Sequence, residues 1–165
     1  MKLVRFRFTT RVLLAITIVF AIALSMFVKR CRERKLAVEA IDRLQGSYSI
    51  STEGPAWLRK LLGDERMFYD LGRVSLSPRI PNFDSSRPID DDALITAVVH
   101  LNTFPSFYKL DLMEANISDD GLLALKELKN LGHLYLDGTN VTDRGLKTLS
   151  EIRSLQRVVA TDKSI

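Results

Sequence analysis

The sequence predicts an α/β fold: a short solenoid of about three repeat units, the first degenerate, behind an N-terminal cap and one transmembrane helix. Two observations predict it. Val12 to Val28 carries no charge over 17 residues. Further on, "LMEANISDDGL" (Leu112 to Leu122) returns 24 residues later as "LDGTNVTDRGL" (Leu136 to Leu146). The predicted organisation is a basic tail at 1–11, a transmembrane helix at 12–28, a juxtamembrane helix at 29–45, a cap at 46–70 and repeats at 71–165.

Charge divides the chain in the same place. Of 165 residues with a formal net charge of +4, the first 35 hold nine basic residues and one acidic residue. The rest carries fifteen basic against nineteen acidic residues, so the main domain is net negative. A nucleic-acid partner is disfavoured, because phosphate binding needs a positive surface. The single cysteine, Cys31, excludes an internal disulfide, and Cys31, His100 and His133 make no metal-ligand spacing. No cofactor is expected.

As a helix, Val12 to Val28 spans about 26 Å at 1.5 Å per residue, slightly under a hydrocarbon core of about 30 Å. Arg11, Lys29 and Arg30 close the difference by reaching the headgroups. The competing reading is a cleaved signal peptide, with Ala23-Leu24-Ser25 as the cleavage site. The length of the apolar run and the abrupt "KRCRERK" after it favour the anchor. The lipid bilayer is thus an expected partner of Val12–Val28. Basic residues flank both ends in nearly equal number, so the positive-inside rule leaves the side of the repeats open. Cys31 stands where a lipidated cysteine would, although an incidental small thiol is the plainer reading.

At an offset of 24 the match covers a whole unit. Phe107, Leu110 and Leu112 correspond to Leu131, Leu134 and Leu136. Ile117, Asp119 and Gly121 correspond to Val141, Asp143 and Gly145; Leu122, Leu125 and Leu128 to Leu146, Leu149 and Ile152. Leu155, Val158 and Ala160 begin another copy. Leu110 and Leu112 alternate as inward residues of a short strand. Leu122, Leu125 and Leu128 line one side of helical turns. Asp119 and Asp143 are expected to cap those turns, and Gly121 and Gly145 to let helix approach strand. Upstream, Leu71, Val74 and Leu76 begin a degenerate unit that the Pro/Ser-rich loop Ser77 to Pro88 interrupts. Ile89, Asp91, Ala93 and Leu94 resume it, so "DDD" at 90–92 reads as a cap with solvated neighbours rather than a cation site.

These residues resemble the leucine-rich repeat superfamily, in the variant "L-x-L-x-x-T-x-[IV]-[ST]-D-x-G-L", here Leu134 to Leu146. Ala115 and Thr139 stand where many such families place an asparagine ladder. With its basic N-terminal anchor, the layout resembles bacterial membrane-anchored proteins. The resemblance implies a single-pass protein of the bacterial cell membrane that binds other proteins.

Between anchor and repeats, Leu36, Ala40, Ile41 and Leu44 predict one apolar helical face ending at Gly46. "SYSIST" predicts a strand. "PAWLRKLLGD" predicts a short helix whose apolar side is Trp57, Leu58, Leu61 and Leu62, read as core. A solenoid needs such a cap over its first unit.

The resemblance implies that outward strand residues line a concave binding face. By register these are Arg73, Lys109, His133 and Arg157, then Ser75, Asp111, Tyr135 and Val159, then Ser77, Met113, Asp137 and Thr161. The first row is basic or histidine in every unit of a net-acidic domain. The expected partner is an acidic protein segment with Tyr135 as aromatic anchor; Asp111 and Asp137 belong to the same face. The competing reading is a solvated face with chance charges. The far side of the last repeat suggests an alternative role, an envelope scaffold that self-assembles there as a homo-oligomer through an unpaired strand edge. Asn116 and Asn140 fall in Asn-x-Ser/Thr triplets that the repeat itself generates. No nucleophile motif or metal-hydrolase motif occurs, so no enzymatic activity is expected.

Overall fold

A computed structural model of the chain describes residues 10–54, 56–79, 84 and 88–161. The tail before Thr10 and most of the loop from Ser77 to Pro88 lie outside the described residues. The fold is mixed α/β, with one long apolar N-terminal helix and a small open sheet.

The first helix, α1, runs unbroken from Thr10 to Arg43. The stretch 12–28 and all but the last two residues of 29–45 are therefore one rod. Its first part is exposed throughout, and its length and apolarity are those of a membrane span or, equally, of a signal sequence. Its last part is core: Ala37, Val38 and Ile41 are fully buried. The expected face is thereby corrected. Leu36 is 58% exposed, because several apolar residues crowd this stretch and packing against the domain selects Ala37, Val38 and Ile41. Cys31 is buried, which leaves its sulfur unavailable to a lipid.

Strand β1 (Ser47–Thr52) turns back antiparallel onto β2 (Tyr69–Ser75). Between them come α2 (Ala56–Leu62) and a 3₁₀ turn, Glu65–Phe68. Here a second expectation fails. Trp57 and Leu61 are not core; they are 66% and 73% exposed.

From β2 onward the chain repeats. Helices α3 (Asp91–Leu101), α4 (Asp119–Ala124) and α5 (Asp143–Leu149) alternate with β3 (Lys109–Asp111), β4 (His133–Tyr135) and β5 (Arg157–Val159). The strands form one sheet in order β1-β2-β3-β4-β5, parallel from β2 on. Leu71, Val74 and Leu76, then Phe107, Leu110 and Leu112, then Leu131, Leu134 and Leu136 point into one continuous core. Leu122, Leu125 and Leu128 meet them from the helical side.

The residues between strand and helix join the units. Asp90, Ser118 and Thr142 are the caps, accepting from the backbone N–H of Ala93 (2.9 Å), Asp120 (3.2 Å) and Arg144 (3.3 Å). This corrects the sequence reading by one residue. Asp91 and Asp119 reach instead to the next unit. Asp91 accepts from Ser118 N (2.9 Å) and Ser118 Oγ (2.5 Å); Asp119 accepts from Thr142 N (2.8 Å) and Thr142 Oγ1 (2.7 Å). Thus "DDD" is a cap, a cross-unit acceptor and a solvated neighbour. The glycines serve this contact rather than a helix–strand one. A Cβ on Gly121 would lie 2.1 Å from Asp91 Oδ1, and one on Gly145 2.2 Å from Asp119 Oδ1. Asn140 Nδ2 donates to Asn116 Oδ1 (2.7 Å), so an asparagine pair does bridge two units, one position beyond Ala115 and Thr139.

Candidate functional site

The parallel strands put the expected row in register: Arg73 beside Lys109, Lys109 beside His133, His133 beside Arg157. At about 4.8 Å between strands, the four positions span about 14 Å. Their inward neighbours, Val74, Leu110 and Leu134, are fully buried, so alternation turns the row outward on β2, β3 and β4. Arg73 and Arg157 are exposed; Lys109 and His133 are half-buried.

Aromatic rings pack among these side chains. Lys109 Nζ sits 4.1 Å from the centroid of the Tyr135 ring. Hydrogen bonding from Lys109 and its positive charge, with Arg157 adding to both, hold the Tyr135 hydroxyl below its usual titration range. Tyr108 meets His133 edge-on, with ring centroids 5.8 Å apart and planes at 82°. Sequence register did not find Tyr108, because it falls just before the three-residue strand. It is 46% exposed and extends the aromatic surface.

The acidic residues separate from this row. Asp111 accepts from the backbone N–H of Met113 (3.1 Å), and Thr161 Oγ1 donates to Asp137. Beside them Arg79 Nη2 lies 2.6 Å from Glu114 Oε1. Glu114, then Asp111 and Asp137, push the Arg79 guanidinium above its usual range. Arg79 thus pairs with Glu114 across 35 residues, a contact that sequence spacing does not reveal, and the charges of Asp111 and Asp137 act on the same guanidinium. Ser77 is buried and leaves the outward row.

No family model, curated protein or solved structure matches the chain. Among the described residues no group of histidine, cysteine or carboxylate side chains is placed to hold a metal ion.

Proposed function

We propose that the chain is a membrane-anchored protein-interaction module, a short leucine-rich repeat solenoid on a single span. Its outward strand face takes an acidic segment of a partner protein. The observation that carries this reading is the row Arg73, Lys109, His133 and Arg157, in register on adjacent strands of a net-acidic domain. Tyr135 and Tyr108 add aromatic area at its centre, the chemistry that favours a binding hot spot. Asp111 and Asp137 form the opposite border and orient a partner by repulsion.

The test is direct binding. A fluorescent glutamate-rich peptide is titrated against the full chain in nanodiscs. Lys109→Glu with Arg157→Glu is expected to weaken it about tenfold or more, and added salt to weaken the parent complex. Equal binding by parent and variant would refute the reading.

A further inference from the structure

Trp57 and Leu61 stand one turn apart on α2 and share its outer side, while Leu58 is half-buried. Their exposure is unusual for a tryptophan and a leucine, and the place of α2 explains it. Both ends of α2 are tied to α1 where its apolar stretch ends. Glu53, before α2, lies 3.0 Å from Arg34 Nη1, and Asp64, after it, lies 2.8 Å from Lys35 Nζ. Lys35 donates to Asp64 and holds its carboxyl below the usual carboxylate range. Phe68, in the 3₁₀ turn that follows, packs on Phe27 with ring centroids 6.2 Å apart. Phe27 to Lys35 is eight residues of helix, about 12 Å. If α1 crosses a bilayer, α2 sits at the headgroup level.

We propose that α2 is an interfacial foot: Trp57 and Leu61 insert into the headgroup region of the same bilayer that α1 spans. Tryptophan suits this zone, since its ring prefers apolar surroundings and its N–H still finds water. The charges agree. Lys29, Arg30 and Arg32 on α1 and Lys60 on α2 are exposed around the same level and favour anionic lipid. The foot sets the tilt of the domain over the membrane, so the face on β2–β5 is presented in one orientation. This inference rests on reading α1 as an uncleaved span.

Trp57 is the chain's one tryptophan, so its fluorescence reports this site alone. The full chain is reconstituted in phosphatidylcholine–phosphatidylglycerol vesicles, with bromine carried either high or low on the acyl chains. Trp57 emission is expected to be blue-shifted and quenched more strongly by the shallow bromine. Leu61→Asp is expected to lose most of that quenching while the chain still floats with the vesicles after a carbonate wash. Unquenched Trp57 emission in a chain that stays with the vesicles overturns the foot and leaves the span standing. Blue-shifted but unquenched emission overturns it in favour of a protein, such as a second copy, covering the site. A chain that carbonate removes overturns the foot and the span together.

Discussion

Lys109 over Tyr135 is the contact on which the proposed binding face turns. The cation steadies the phenolate, so Tyr135 is expected to ionise at lower pH than a free tyrosine. In ultraviolet titration the earliest phenolate step should vanish in Tyr135→Phe and move to higher pH in Lys109→Met. An unchanged titration in Lys109→Met would contradict the contact. The row itself was legible in the sequence, because a parallel ladder at a 24-residue offset puts like positions side by side. What surrounds it was not. Glu114 adopts a left-handed backbone (φ 61°) where the next unit has Gly138 (φ 75°), and it meets Arg79 across an interrupted unit. Neither the backbone conformation nor the pairing leaves a periodic trace.

At the scale of the element, units are joined by Asp91 to Ser118 and Asp119 to Thr142, each carboxylate lying against a glycine. Gly121→Ala should destabilise the domain by roughly 1–3 kcal/mol, since the new methyl must displace the Asp91 carboxylate. The cost should shrink in an Asp91→Ala background, and thermal unfolding of the four proteins gives that coupling. Additive costs would contradict the contact. Thr142, through its hydroxyl and then its backbone N–H, holds the Asp119 carboxyl below its usual value of 3.8. A depressed folded-state value means that this stabilisation is complete above the ordinary aspartate range and is lost as pH falls through the lower value. Thr142→Val should therefore flatten the loss of stability below about pH 4. The repeated "SD" and "TD" marked these positions in the sequence, yet only the neighbouring unit shows which oxygen caps and which reaches across.

For the whole molecule, α1 joins an exposed apolar stretch to the core. Ala37, Val38 and Ile41 are fully buried beside the repeats. Ile41→Ala should cost about 2–5 kcal/mol. A fragment of residues 46–165 should lose its cooperative thermal transition by circular dichroism, and one of residues 29–165 should keep it. A cooperative transition in the shorter fragment would contradict this shared role. The long apolar helix and the strand-helix repeat were legible because each is written in periodicity or its absence. The core side of α1 was not. Leu36, Ala37, Val38, Ala40, Ile41 and Leu44 satisfy more than one helical face, and tertiary packing decides among them. The exposed side of α2 escaped for a related reason: hydrophobicity alone does not separate a side chain bound for the core from one left exposed.

The most direct test of the central claim, that the outward strand face is the binding surface, is photo-crosslinking in intact cells. Benzoylphenylalanine is placed at Tyr135 and, as a control on the helical side, at Leu123, which is 49% exposed. The account predicts a discrete light-dependent adduct from position 135 that Lys109→Glu with Arg157→Glu removes, and none from position 123. An adduct at 123 alone, or one at 135 that survives the charge reversal, would contradict it.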